Sequence, residues 1–267
     1  GTCTPLVSDY TILGFKLVDL SEKNFVETGS VGATDNKGTI NIDKNSTVVG
    51  PGSFIKAKNI NLHASVTFLN KYFTPAVVTL PAMQLNTTTP AGANLNVPNN
   101  TTNTYSGNYK DVTIGTNCNV IFSTGTIFGK LNIGKSSVVT FNGTGTLNIK
   151  GIDMADGTDA APTQLLFGSN MSVRIKEDVE IGKSSRVNTA GYNVVLYVAG
   201  GSPGDDFHVK AGGNVIVNAN VFAPNGKIKV EGNNDKNTYM YGSYIAENIE
   251  SKDKNIYWNA ASAPVYP

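Results

Sequence analysis

Short alternations of apolar and polar residues recur along the chain, separated by three or four polar residues typical of turns. The clearest unit has an apolar residue two positions before an isoleucine, then a glycine, four further residues and a valine. Alternation with a period of two places both apolar side chains on one face of a β-strand. Each copy therefore predicts a strand, a tight turn that begins at the glycine, and a second strand. The copies span residues 40–48 (with aspartate in place of glycine), 112–120, 131–139 and 179–187.

The spacing of these copies predicts a β-solenoid with coils of roughly 16–22 residues. Ile114 and Ile133 occupy the same position in successive copies and lie 19 residues apart. A sandwich of two antiparallel sheets also has regular short strands and is the alternative fold. Recurrence of one turn at one coil spacing favours the solenoid. The sequence therefore predicts an all-β protein with little or no helix.

One region interrupts the rhythm and predicts a long connection. Pro75, Pro81, Pro90 and Pro98 lie there, together with the polar tract 99–104. Loops of this length are uncommon unless they are functional or lie along the body of the protein. Because the same turn unit occurs on both sides, we expect one domain. Its parts are N-terminal coils (1–72), a connection rich in Pro, Asn and Thr (73–110) and a main stack (111–267).

Composition narrows the classes of partner. The chain has 267 residues, a formal net charge of +1, and 15% charged residues. Only Arg174 and Arg186 are arginines, whereas a nucleic-acid-binding protein usually carries a basic face. This near-neutral balance predicts no nucleic-acid partner. No apolar run approaches the roughly 18 residues that a membrane span needs, so we also expect no membrane span.

Two cysteines leave two interpretations open. Cys3 and Cys118 lack the paired Cys-x-x-Cys spacing of a zinc site. They are either one disulfide or two unrelated thiols.

Several motifs resemble a group of secreted bacterial β-helix proteins of surface or adhesin type. The resemblance rests on Val97-Pro98-Asn99-Asn100, the stretch from Tyr105 to Gly115, and the segments 221–226 and 241–246. It covers roughly residues 75–258. It implies a right-handed parallel β-helix located outside the cell or on the bacterial surface, with surface glycans or host or matrix proteins as partners. The resemblance supplies no catalytic residue.

Residues with possible catalytic chemistry occur in two places. Asp205, Asp206 and His208 follow a glycine-rich loop, and Arg174 and Lys176 form an Arg-x-Lys pair. Pectin-cleaving β-helix hydrolases use these residue types, but in a different order along the chain. A polysaccharide lyase or glycoside hydrolase is therefore the alternative to a non-catalytic protein.

A calcium site is a further hypothesis. Asp153, Asp156 and Asp159 surround Gly157, and carboxylate oxygens are the ligands that calcium prefers. Asp-Gly pairs are also ordinary turn signals, and the spacing departs from that of a helix-loop-helix calcium loop.

Aromatic residues concentrate near the C-terminus. Tyrosine and tryptophan on a solenoid face can contact sugar rings or a protein partner, and they can also cap an open end of the stack. The candidate ligand-binding residues are Tyr239, Tyr241, Tyr244, Tyr257 and Trp258.

Two Thr-x-Thr pairs add a lesser alternative, ice binding. The pairs are Thr124/Thr126 and Thr144/Thr146, and the later coils carry none. A flat ice-binding face would repeat the pair on nearly every coil. The sequence thus favours a non-catalytic β-helix protein of adhesion or surface structure.

Overall fold

The computed structural model describes residues 7, 9–89, 91–124, 127–201 and 204–260, with the backbone alone at residue 124. These residues form a parallel β-solenoid of about 11 turns, which confirms the predicted fold class. No helix occurs among the described residues, and hence none that could cross a membrane.

The strands are short and joined by tight turns. Those of the N-terminal part are β1 (Tyr10–Leu20), β2 (Asn24–Val26), β3 (Ser30–Ala33), β4 (Thr39–Ile42), β5 (Thr47–Val48), β6 (Phe54–Lys56), β7 (Asn59–Leu62), β8 (Thr67–Phe68) and β9 (Asn70–Tyr72). The next ten are β10 (Leu95–Val97), β11 (Thr102–Ser106), β12 (Val112–Ile114), β13 (Asn119–Thr124), β14 (Lys130–Ile133), β15 (Val138–Phe141), β16 (Gly145–Ile149), β17 (Gly151–Met154), β18 (Thr163–Phe167) and β19 (Met171–Ile175). The last nine are β20 (Val179–Ile181), β21 (Ser185–Val187), β22 (Val194–Val198), β23 (Phe207–Val209), β24 (Val215–Asn218), β25 (Asn220–Glu231), β26 (Thr238–Tyr241), β27 (Tyr244–Lys252) and β28 (Ile256–Asn259).

A full coil passes through three faces. Face 1 contains β16, β19, β22, β3, β6 and β9, and face 2 contains β10, β12, β14, β17, β20, β23, β4 and β7. The long strands β25, β27 and β1 run through both, with a register shift where each turns from face 1 to face 2. Face 3 is a separate sheet of 11 strands.

The repeat unit marks the corner between face 2 and face 3. Its isoleucines end β4, β12, β14 and β20, and its valines lie in β5, β13, β15 and β21. All of these side chains are buried. Two coils in the middle are longer than predicted, because Ile152 pairs with Val179, and Val179 pairs with Phe207.

The turn itself differs from the expectation at one point. Positive φ occurs two residues after the glycine or aspartate, at Asn45 (58°), Asn117 (55°), Ser136 (58°) and Ser184 (50°). The glycine is required for a different reason, since Gly134 lies directly against the carbonyl group of Gly115 in the coil below. Close approach of stacked backbones therefore selects glycine here.

Replacement of Gly134 by alanine is expected to destabilise the protein by about 1–3 kcal/mol, as overpacked substitutions do. The added methyl group would overlap the Gly115 carbonyl oxygen. Gly143→Ala is the matched control, because a side chain there meets only one atom, 4.0 Å away. Urea unfolding of both variants checks the prediction, and equal effects at the two positions would contradict it.

The coils do not stack in chain order. On face 3 the order is β11, β13, β15, β18, β21, β24, β26, β28, β2, β5 and β8. The C-terminal coil therefore lies beneath the first N-terminal coil, and the chain reaches one end of the stack at β7–β9. It must then return along the whole solenoid to begin again at β10.

On this return, residues 76–84 of the connection lie along face 1. Outward apolar side chains of that face, including Leu13, Phe222 and Ile245, pack against Ala76 and Met83 of the connection. The Gln84 side chain accepts hydrogen bonds from Arg174 (Nε 3.3 Å, Nη2 3.2 Å) and donates to Tyr197 Oη (3.3 Å). Residues 95–106, assigned to the connection from the sequence, include β10 and β11.

Apolar columns fill the interior of the solenoid. Phe122, Phe141 and Phe167 stack in successive coils, with ring centroids 5.3 and 6.0 Å apart. Cys118 is a buried free thiol, whose Sγ lies 3.2 Å from the carbonyl oxygen of Pro98. Cys3 lies outside the described residues.

Candidate functional site

Face 3 presents a continuous outward column along the solenoid. Each of its residues pairs with the next across adjacent strands, and the column ends at the two ends of the stack. From one end to the other the residues are Thr102, Asn119, Val138, Gln164, Arg186, Ile216, Tyr239, Tyr257, Phe25, Thr47 and Thr67.

Four outward aromatic side chains of this face are in mutual contact, and we call them the aromatic row: Phe25, Tyr257, Tyr239 and Tyr241. Ring centroids are 5.0 Å apart for Phe25 and Tyr257, and 5.2 Å apart for Tyr257 and Tyr239. Tyr241 stacks on Tyr239 at 6.4 Å. All four side chains are half-buried. Because neighbouring rings cover much of each other's faces, ring edges and phenol groups form much of the exposed surface.

The row combines apolar surface with neutral hydrogen-bonding groups. Burial raises the pKa of Tyr241, as do Glu27 and Tyr239, and burial also raises the pKa of Tyr257. These phenols therefore stay protonated at neutral and mildly alkaline pH. Asn237 donates from Nδ2 to Tyr239 Oη (3.0 Å), which orients that hydroxyl group.

At the β11 end, the outward positions of face 3 carry neutral side chains. In the four coils at the β11 end, the second outward position is occupied by Thr104, Ile121, Thr140 and Leu166 in register. The first position there carries Thr, Asn, Val and Gln. Arg186 is the first charged residue that the outward column reaches from this end. The coils of Arg186 and Ile216 separate this neutral surface from the aromatic row.

Two of the predicted ligand-binding aromatics are internal. Tyr244 and Trp258 are fully buried, and their rings meet edge to face at 5.5 Å. They alternate with Tyr257 and with outward positions of β27, because successive side chains of a strand point to opposite faces. The surface therefore contains Tyr239, Tyr241 and Tyr257 of the predicted set.

Phe25 belongs to the row and was missed in the sequence. It lies more than 200 residues from Tyr257 along the chain, and only the stacking of β2 on β28 brings the two together. A single outward phenylalanine between Asn24 and Val26 carries no signal for this contact.

The candidate catalytic residues are divided between faces. Arg174 is on face 1, where it binds Gln84 of the connection, and Lys176 follows that strand as an exposed residue. His208 is on face 2, with Nδ1 3.2 Å from Glu180 Oε1 and Nε2 2.8 Å from Glu231 Oε2. Arg174 and His208 therefore lie on different faces of the solenoid.

The two adjacent aspartates have different environments. Asp205 pairs with Lys227 (3.2 Å), whereas Asp206 is buried with Oδ2 lacking a hydrogen-bond partner among the described residues. Its carboxyl group packs against Gly200 and Gly226. Burial, followed by the charges of Asp178 and Asp205, raises the pKa of Asp206 to about 6. Among the described residues, Arg174 and His208 bind other groups: Arg174 binds Gln84, and His208 lies between Glu180 and Glu231.

The three candidate calcium ligands have separate partners. Asp153 lies 3.9 Å from Lys130 Nζ, and Asp156 accepts a hydrogen bond from the backbone of Lys183 (2.8 Å). Asp159 accepts from Ser184 Oγ (2.9 Å) and from a backbone amide. In the part of the chain that the structure describes, no three His, Cys, Asp or Glu side chains group closely enough to hold a metal ion.

The Thr-x-Thr pairs contribute little to a possible ice-binding surface. Thr144 and Thr146 are exposed, and Thr146 opens onto face 1 beside Ser172. Of the other pair, Thr126 and the side chain of Thr124 lie outside the described residues.

Comparisons with known proteins identify no family for this chain. No protein-family model matches it, and no curated protein matches it. Among solved structures, it is weakly similar to the crystal structure of an ice binding protein from an Antarctic bacterium Flavobacteriaceae. The identity is 9%, with 96% of this chain and 81% of that chain covered, and the TM-score is 0.15. So weak a likeness supports no inference about function.

Proposed function

We propose that this protein is a non-catalytic, carbohydrate-binding β-solenoid that acts in adhesion or surface structure outside the cell or on the bacterial surface. The observation that carries the proposal is the aromatic row of Phe25, Tyr257, Tyr239 and Tyr241 on face 3. The location is supported by the resemblance of the sequence motifs to secreted surface proteins.

The dimensions of face 3 suit an extended chain of sugars. Its 11 strands, at about 4.8 Å each, give a surface about 50 Å long. The strand spacing is comparable with the length of one pyranose residue, so successive tyrosines can address successive sugars. The exposed apolar ring surface gives van der Waals contact with the C–H groups of a sugar, and the phenols match its hydroxyl groups. The four neutral coils at the β11 end of the same face favour a neutral polysaccharide over an acidic one.

The double variant Tyr239→Ala/Tyr257→Ala is expected to weaken binding to the preferred neutral glycan at least about tenfold, or about 1.4 kcal/mol. Suitable probes are hexasaccharides of β-1,4-glucan and β-1,4-mannan, measured by calorimetry, with pull-down on the insoluble polymers. Tyr72→Ala is the matched control, because Tyr72 is 49% exposed and lies outside the row. Unchanged binding in the double variant, or no binding of any neutral glycan by the native protein, would overturn the proposal.

The enzyme alternative has its own readout in the same experiment. A lyase or hydrolase would release new chain ends from the polysaccharide, and Asp206→Ala would abolish that release. The separation of Arg174 on face 1 from His208 on face 2 gives this alternative less support.

Ice binding is the lesser candidate, supported by the neutral outward positions of the four coils at the β11 end of face 3. The outward positions there vary between Thr, Ile and Leu rather than repeating threonine. Thermal hysteresis measured on the native protein tests it, and a zero value would remove it.

A further inference from the structure

A polar cleft lies on face 2 near the end of the solenoid formed by β7. It is a shallow depression with a volume of about 780 Å³ and is open to solvent over much of its surface. We call it the terminal cleft. Its hydrogen-bonding side chains include those of Asp19, Asn41, Asn61, Asp43 and His63.

Strand stacking builds one wall of the cleft. Asp19, Asn41 and Asn61 occupy the same outward position in three successive coils, since Asp19 pairs with Asn41 and Asn41 with Asn61. Asn61 donates from Nδ2 to Asn41 Oδ1 (2.9 Å), so the two amides form a ladder. This bond uses one N–H of Asn61 and one lone pair of Asn41. The remaining side-chain N–H and C=O groups of the two asparagines can therefore bind a ligand.

Apolar side chains complete the cleft at its open end. Ile60 and Leu62 alternate with the asparagines of β7 and pack against the core, but both remain half-exposed. They are exposed because β7 pairs with β4 on one side, and no further face 2 strand follows it in the described chain. The cleft therefore offers apolar contact beside its hydrogen-bonding groups.

The charges in the cleft are not neutralised by ion pairs. Among the described residues, neither Asp19 nor Asp43 has a cationic group within salt-bridge distance. Burial, then Glu250 and Asp43, raises the pKa of Asp19. Lys71 also lines the cleft, and Ser65 Oγ lies 2.8 Å from His63 Nδ1. Acceptors, amide donors and one lysine thus face the same space.

We propose that the terminal cleft binds a neutral saccharide of one or two residues through adjacent hydroxyl groups. The Asp19 carboxylate can accept a hydrogen bond from one sugar hydroxyl group while the neighbouring Asn41 amide donates to the next. A site for a cation alone would have no use for the amide donor. The half-exposed Ile60 and Leu62 suit the C–H face of the same sugar. The cleft extends the proposed carbohydrate function to a second site, and it is carried by residues that the aromatic row does not use.

Titration with methyl α-mannoside, methyl β-galactoside and methyl β-glucoside tests the proposal. On binding, the side-chain amide NMR signals of Asn41 and Asn61 are expected to shift. Asn61→Ala and Asp19→Asn should each weaken binding of the preferred glycoside at least tenfold. Asn132→Ala is the matched control, because Asn132 occupies the same outward column in a coil far from the cleft. Far-UV circular dichroism establishes that each variant keeps its strands.

The outcomes separate the two carbohydrate sites. Loss of glycoside binding in Asn61→Ala, with retention in Tyr239→Ala/Tyr257→Ala, supports the cleft whatever the result for long glycans. The proposal is overturned if none of the three glycosides shifts the amide signals. It is equally overturned if Asn132→Ala weakens binding as much as Asn61→Ala does, or if the tyrosine double variant alone abolishes binding.

Discussion

Replacement of Trp258 by alanine is expected to lower the free energy of unfolding by about 3–5 kcal/mol, the range for loss of a large buried aromatic side chain. Trp258 is fully buried in the last strand of the C-terminal coil. It packs against Tyr244, and its Nε1–H donates to Asn24 Oδ1 (2.9 Å) of the N-terminal coil stacked on it. The substitution would open a cavity where two distant parts of the chain meet.

Urea unfolding followed by circular dichroism measures this effect, and two variants separate its causes. Trp258→Phe keeps most of the volume but leaves Asn24 Oδ1 without its donor, at a cost of about 1–3 kcal/mol. Tyr257→Ala changes the neighbouring outward residue and should cost less than Trp258→Ala. If Tyr257→Ala proves the more destabilising of the two, the inward placement of Trp258 is wrong.

Replacement of Asp206 by asparagine is expected to raise the free energy of unfolding relative to that of the native protein, and to do so more at alkaline pH than at acidic pH. The pKa of Asp206 is raised from 3.8 to about 6 in the folded protein, so folding favours its protonated form. The contribution of this group is most favourable at low pH and is lost as pH rises from about 4 to about 6. Above that range the ionised group costs about 3 kcal/mol, at 1.36 kcal/mol for each pKa unit.

Because asparagine does not ionise, residue 206 of the variant causes no loss of stability as the pH rises through this range. Its stability relative to the native protein should improve by up to about 3 kcal/mol between about pH 4 and about pH 8. Urea unfolding at the two pH values measures the difference. Asp235→Asn is the control, since Asp235 is exposed and is not one of the charges that raise the pKa of Asp206, so its replacement should give no alkaline gain. An identical effect of Asp206→Asn at both pH values would show that the carboxyl group is not held in its protonated form.

The local structure of the coils follows closely from the sequence. The alternation of Val112 and Ile114 predicts a strand with both side chains buried, and the structure confirms this. Period-two alternation is a local property of the backbone, so neighbouring residues suffice to predict it. The left-handed residue of this turn is Ser136, whereas Gly134 is needed for its close approach to the Gly115 carbonyl group, a contact that the turn sequence alone does not show.

The division between inside and outside is harder to predict near the C-terminus. Tyr257 and Trp258 are adjacent and chemically alike, yet one is half-buried on face 3 and the other fully buried. A shift of one residue in strand register would exchange them. Hydrophobic character cannot distinguish the two, because both are large aromatic residues, and the core had room for one of them at that level.

The sequence by itself determined the repeating strand–turn–strand unit, the all-β class and the low charge of the surface, because these depend on short-range pattern and composition. The tertiary structure alone decided that the N-terminal coils stack on the C-terminal coil, and that residues 76–84 pack on face 1. It also decided that Phe25 joins Tyr239 and Tyr257, and that Arg174 and His208 lie on different faces. Parallel coils resemble one another in backbone geometry, so their order is chosen by side-chain fit between distant segments, such as Trp258 against Asn24.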